Sequence, residues 1–208
     1  ETLRLFEEQV LRFRDDPALK VALIRSTGRS FCAGADLREP EAHGPRPTTA
    51  RAFREMHRIG ISNMHRIYDE MEAIEKPFVI AHHATCIGGG LEMSLSCDFR
   101  LAAKSAAYSF PESKQGVLPA SNGVSRLTRL VGTGWARYMI MANKPVDAGR
   151  AFVIGLVQEV FPDETFEANV MAFCRHLAQQ NGEQMGAAKI AIEMARDVGT
   201  VTARNVER

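Results

Sequence analysis

Three glycines and two glutamates carry the chemistry open to this chain. Gly88-Gly89-Gly90 runs into Leu91-Glu92, and Pro111-Glu112 follows, Glu112 lying twenty positions after Glu92. A glycine triplet ahead of a helix presents bare backbone N–H groups at the positive end of the helix dipole. One carboxylate then stands on that helix and a second on a later loop. Charge-stabilising amides with a pair of carboxylates are the parts needed to hold an enolate and move protons around it. Two carboxylates around one water cannot both ionise freely, so one should keep its proton to a higher pH and supply the acid. Each motif alone also has a plainer use. Glycines pack helices onto sheets, Glu92 could complement the helix dipole, and Glu112 could be a solvated loop residue.

The elements that would position these groups alternate between strand and helix. Leu3, Phe6, Val10 and Phe13 recur at helical spacing, so the chain opens on an amphipathic helix. Val21–Ser26 is a short β-branched run between Asp15-Asp16-Pro17 and Gly28, which predicts a buried strand. Residues 38–49 hold three prolines and predict a loop. Residues 50–75 form a long helical pattern, interrupted near Gly60 and ended by Pro77. Phe78–Ala81 and Phe99–Ala102 predict two further strands, with a helix from the glycine triplet to Cys97 between them. Beyond Ser121 the pattern is helical over 124–131, 135–141, 148–154, 166–180 and 184–197, with a strand at 156–161. Strands separated by helices, followed by a helical second half, make an α/β domain. Ser121 and Asn122 stand where they could cap the helix that follows.

The 208 residues include 45% hydrophobic and 25% charged types, with a formal net charge of +1. Such a balance gives no reason to expect nucleic acid or an anionic membrane as partner. No apolar run approaches the ~20 residues of a membrane span. Cys32, Cys86, Cys97 and Cys174 are widely spaced and predict reduced, buried thiols of a cytoplasmic protein. No ligand cluster for a metal is evident, because neighbouring residues such as His82 and His83 point to opposite faces of a strand. Asp98 predicts a structural hydrogen-bonding residue, and the methionines from Met56 to Met71 predict core or pocket lining. The abrupt start at Glu1 and the uncapped end at Arg208 lead us to expect a truncated version of something longer.

Three segments in order carry a family resemblance. Ser30-Phe31-Cys32-Ala33-Gly34-Ala35-Asp36-Leu37 resembles the "F-x-A-G-A-D-L" loop of the crotonase superfamily, the enoyl-CoA hydratases and isomerases. Lys76-Pro77 through Gly88-Gly89-Gly90-Leu91-Glu92 to Cys97-Asp98 resembles its "KP…GGG-x-E…CD" segment. Phe110-Pro111-Glu112, Gly116-Val117-Leu118-Pro119, Arg126-Leu127 and Gly132 are similar to its "PE…G-x-x-P…RL…vG" segment. The resemblance runs from about Leu3 to Ala195.

It implies a crotonase-like ββα spiral over residues 1–145, with N-terminal strands missing, and a truncated helical trimerisation region over 146–208. It also implies an acyl-CoA thioester as substrate, no separate cofactor, no metal, and a homotrimer or homohexamer. The amides of Ala35 and Gly89 would form the oxyanion hole, and Glu92 and Glu112 would hold water and shuttle a proton to the α-carbon. Ala33, Asp36 and Leu37 would line the coenzyme A portion, with Gly88, Pro111, Leu118 and Ala120 as further substrate contacts. Departures are local: His83-Ala84 replaces the family's "N-G", and Pro119-Ala120-Ser121-Asn122-Gly123 replaces "P-G-A-G-G". Both glutamates favour enoyl-CoA hydration. The alternatives are an enoyl-CoA isomerase, an acyl-CoA hydrolase, or a non-catalytic RNA-binding relative using Arg126, Arg129 and Arg137.

Overall fold

A computed structural model describes residues 2–34, 48–49, 51–52, 55, 62–199 and 202–204. The expected loop at 38–49 and the first part of the helix expected over 50–75 therefore fall largely outside the described residues. Helix α1 (Thr2–Asp15) leads to strand β1 (Ala22–Ile24), and α2 (Ser62–Ala73) leads to β2 (Phe78–His82). Then come β3 (Cys86–Ile87), α3 (Gly89–Leu95), β4 (Phe99–Ala103) and β5 (Ala107–Ser109). A 3₁₀ turn at Pro111–Gln115 precedes α4 (Gly123–Ala136) and a π-helical turn at Arg137–Met141. The chain continues through β6 (Val146–Asp147), α5 (Ala148–Val153), β7 (Glu159–Phe161), α6 (Phe166–Ala178) and α7 (Gly182–Asp197).

A four-stranded sheet in the order β1-β2-β4-β7 is parallel throughout, and a smaller sheet has the order β3-β5-β6. Strands β2 and β4 are apolar except for His82 and Arg100 because helices cover both faces of the larger sheet. Phe78, Ile80 and Ala102 pack into the main core with α1, α2 and α3, while Val79, Ala81, Leu101 and Ala103 pack against Phe166, Val170, Cys174 and Leu177 of α6. Period-two alternation along the strands divides the residues in this way.

The spiral follows from how successive strands are shared out. Strand β2 joins the large sheet, β3 the small one, and α3 follows; β4, β5 and α4 repeat the pattern one turn on. An earlier turn is visible where Cys32 forms a parallel bridge to Cys86. The fold is thus the mixed α/β spiral that the resemblance implied. Past residue 146, β6 and β7 hydrogen-bond into the small and large sheets respectively, so the C-terminal portion contributes strands as well as helices.

Several local expectations change. Strands β3, β5 and β6 are only two or three residues long, too short to show a period. The strand expected over 156–161 is confined to Glu159–Phe161. The helices expected over 124–131 and 135–141 join across a kink at Gly132 (φ 77°, ψ 164°). Neither Ser121 nor Asn122 caps α4 through a side chain; Asn122 itself is left-handed, with φ 60°. Asp98 accepts the Phe78 amide at 2.8 Å and the Lys189 ammonium at 3.0 Å, tying β2 to α7.

Candidate active site

The triplet sits where β3 turns into α3, and its members have different tasks. Gly88 has φ 57° and ψ −132°, a conformation costly for any residue with a Cβ. A Cβ there would also lie 3.0 Å from Glu112 Oε1 and 3.5 Å from the Cα of Gly34. Gly90 is required by packing instead: a Cβ on it would fall 2.3 Å from the Cβ of Cys32. Gly89 occupies the first position of α3, where the helix supplies no acceptor for its amide. The Gly88 amide donates to Ser109 O at 3.2 Å, whereas the Gly89 and Gly90 amides, both in the first turn, have no acceptor within the helix.

Glu92 lies one turn into α3 and is 5% exposed. Its Oε1 accepts the Ser121 amide at 2.7 Å, and the Gly123 amide also hydrogen-bonds to its carboxylate. A Cβ on Gly123 would stand 2.8 Å from the same oxygen, and one on Gly89 would stand 4.0 Å from Glu92 Oε2. Burial pushes the Glu92 carboxyl up to about 7; the charge of Glu112 adds to the rise, while the Ser121 and Gly123 amides and Arg126 oppose it. Glu112 follows Pro111 in the first turn of the 3₁₀ segment, and burial raises its carboxyl too. Its Oε2 is enclosed and has no hydrogen-bond partner among the described residues. The two carboxylates therefore flank the same turn, Glu112 against Gly88 and Glu92 against Gly89.

Helix α2 closes one side. Met64 places its Cε 3.5 Å from the position a Gly89 Cβ would take. Tyr68 donates its hydroxyl to Gly89 O at 3.3 Å. Arg126 of α4 is buried; it donates to Asp69 and Glu72 of α2 at 2.7 Å each and to Ser121 O at 3.1 Å. Arg129 pairs with Asp197 at 3.0 Å. Two of the three arginines considered for a basic patch are thus held in ion pairs.

Of the residues expected at the site, Glu92, Glu112, Gly88 and Gly89 come together, with Gly34 beside them. Pro111 and Ala120 are half-buried on the flanking segments. Ala33 is exposed, and Leu118 is 65% exposed in the isolated chain. Ala35, Asp36 and Leu37 lie outside the described residues. Sequence reasoning passed over the amides of Ser121 and Gly123, because a backbone donor leaves no trace in residue type. It also passed over Tyr68, although Tyr68 shares a helical face with Met64 and Met71. Among the described residues no group of three or more His, Cys, Asp or Glu side chains could hold a metal. No described helix is long and apolar enough to cross a membrane.

Known proteins resemble this chain over nearly all of its length. A crotonyl-CoA hydratase of Syntrophomonas wolfei is 35% identical over 165 residues, 79% of this chain and 60% of its own length. An enoyl-CoA isomerase/hydratase of Mycosarcoma maydis is 32% identical over 191 residues, 89% of this chain and 65% of its own. A carnitinyl-CoA dehydratase of Citrobacter koseri is 33% identical over 196 residues, 94% of this chain and 69% of its own. The chain thus spans roughly two thirds or less of the length of the first two relatives. The crystal structure of an enoyl-CoA hydratase from Bacillus anthracis superposes with a TM-score of 0.88 at 28% identity, covering 99% of this chain and 76% of that one. The model of the enoyl-CoA hydratase/isomerase family matches residues 2–208, and with a glycine turn flanked by Glu92 and Glu112 in the same fold, this chain belongs to the enoyl-CoA hydratase/isomerase family.

Proposed function

We propose that this chain adds water across the double bond of a 2-enoyl-CoA thioester. The observation that carries the reading is the pair of carboxyls against one glycine turn, Glu92 buried and Glu112 half-buried. Glu92 titrates near neutrality and is oriented by two amides, while Glu112 has one enclosed oxygen without a partner. A buried acceptor without a partner is destabilising unless something fills its place, and a water bridging the two glutamates would do so.

In this reading the pair holds one proton between them. The ionised carboxylate takes a proton from the water as its oxygen bonds to the β-carbon, and the π electrons move onto the thioester carbonyl. The protonated carboxyl then delivers its proton to the α-carbon as the carbonyl re-forms. Water has been added and the pair again holds one proton. The Gly89 amide, with the Ala35 amide in the role that the resemblance assigns, holds the oxygen while it is negative. One such donor is worth roughly 3–4 kcal/mol of barrier. The same residues suit an enolate formed by proton abstraction, so conversion of a 3-enoyl to a 2-enoyl thioester is the second reading; the raised carboxyl of Glu92 serves either. A homotrimer or homohexamer is our reading of the assembly, supported by the exposed apolar side chains of Tyr138, Met141, Phe152 and Val153.

Incubation with crotonyl-CoA tests the reading. Hydration removes the absorbance of the enoyl thioester and yields 3-hydroxybutyryl-CoA. An unchanged spectrum, with 3-enoyl-CoA converted to 2-enoyl-CoA, would give the function to isomerisation instead.

A further inference from the structure

The half-buried His65 of α2 is a polar group that the site has not yet used. Helical spacing puts it between the two faces by which α2 grips the site. Tyr68, three residues on, reaches Gly89 O, and Asp69, four residues on, reaches Arg126, which in turn holds Ser121. Side chains at these spacings stack on one side of a helix, with Cβ atoms ~5–6 Å apart, and lean toward the N-terminus. His65 is thus one helical turn from the tyrosine on the oxyanion turn, next to Met64, whose Cε touches the same turn. Its Nε2 is enclosed and has no hydrogen-bond partner. The buried His82 and half-buried His83 also each keep one enclosed ring nitrogen unpartnered, but their other nitrogen is paired, His82 Nδ1 with the Tyr108 hydroxyl at 3.2 Å and His83 Nε2 with Gly28 O at 2.9 Å. Among the described residues nothing is paired with His65.

An enclosed imidazole nitrogen beside a substrate site is destabilising while empty and becomes favourable when a ligand meets it. We infer that His65 is a specificity-determining residue that hydrogen-bonds a polar substituent on the acyl chain, one or two carbons beyond the reacting double bond. A hydroxyl is the group that fits, because it can donate or accept and so suits either ring tautomer. The substrate class is then a hydroxylated short-chain acyl-CoA rather than a plain alkyl one. This rests on the acyl-CoA reading of the site, though not on hydration as such.

Saturated thioesters separate the two, since they have no double bond to hydrate. Binding of 4-hydroxybutyryl-CoA and 5-hydroxypentanoyl-CoA to the whole chain is compared by calorimetry with that of butyryl-CoA and pentanoyl-CoA. One hydroxylated thioester is expected to bind about tenfold tighter than its parent. H65F should bring that ratio to about one, and H65Q should keep part of it, because an amide can also donate and accept. Equal affinities for parent and hydroxylated thioesters in the wild-type protein overturn the inference whether or not H65F folds, as does an H65F protein that keeps the preference. If no acyl-CoA binds at all, the inference falls together with the acyl-CoA reading. If the preference is found but crotonyl-CoA is not hydrated, only the reaction needs revision.

Discussion

Two buried polar clusters meet at Ser121, and they handle charge in opposite ways. On the side of α4 and α7, Arg126 has Asp69 and Glu72 at 2.7 Å, and Lys189 has Asp98 at 3.0 Å and Met71 O at 2.8 Å. A cavity of 480 Å³ opens there, lined in part by Cys97, Arg126, Lys189 and Ile192, and none of Gly88, Glu92 or Glu112 borders it. On the side of the glycine turn, two carboxyls flank one turn with their pKa values raised, and one oxygen lacks a partner among the described residues. Space alone would therefore point away from the site proposed above. Charges that satisfy each other build architecture, whereas those left unsatisfied are available to a substrate. The Ser121 peptide joins the two, its amide on Glu92 and its carbonyl on Arg126.

The largest break in this comparison is E112Q. It keeps the shape and removes the ionisable group, so crotonyl-CoA hydration should fall on the order of 10²–10⁴-fold. Calorimetry should still find acyl-CoA bound within a few-fold of wild type. Next in size is R126Q, which leaves Glu72 and Asp69 without their cation. Because both carboxylates are partly exposed, the expected loss is about 2–3 kcal/mol of stability in urea unfolding, below that of a fully buried pair. A loss within 0.5 kcal/mol would show that the α4–α7 cluster is not the structural one.

The pH response sharpens the contrast further. The folded-state carboxyl of Glu92 lies near 7 against an ordinary 4.5, so between these values the folded protein holds a proton that the unfolded chain releases. Stability should therefore be greatest below about 4.5 in this contribution and fall as pH rises through about 7, by on the order of 2–3 kcal/mol. E92Q should flatten that slope in denaturant titrations at a series of pH values. A smaller effect is expected of G88A. The positive φ and the 3.0 Å approach to Glu112 should cost about 1–2 kcal/mol, read as a lowered thermal midpoint. The smallest is R25A, whose exposed pair with Glu167 at 2.9 Å should change stability by less than ~0.5 kcal/mol.

How far the sequence could be read depended on where each role resides. Gly88, Glu92 and Glu112 were legible because the roles proposed for them rest on a side chain, or on the lack of one. The longer strands β2 and β4 were legible because burial on both faces makes them apolar apart from His82 and Arg100. Strands β3 and β5, which bring the turn and Glu112 together, were not, since two or three residues have no period to detect. Ser121 suggested a helix cap by its type, yet it acts through an amide that any non-proline residue could supply. His65 was invisible for another reason: only the structure reveals that its ring nitrogen is enclosed and unpartnered.

The central claim is that Glu92 and Glu112 act on one water as a unit. Measuring kcat/KM for crotonyl-CoA hydration in wild type, E92Q, E112Q and the double variant tests it directly. Groups that act together give losses that do not multiply, so the double variant should fall no more than a few-fold below the worse single. Losses that multiply, or wild-type turnover in either single variant, would contradict the account.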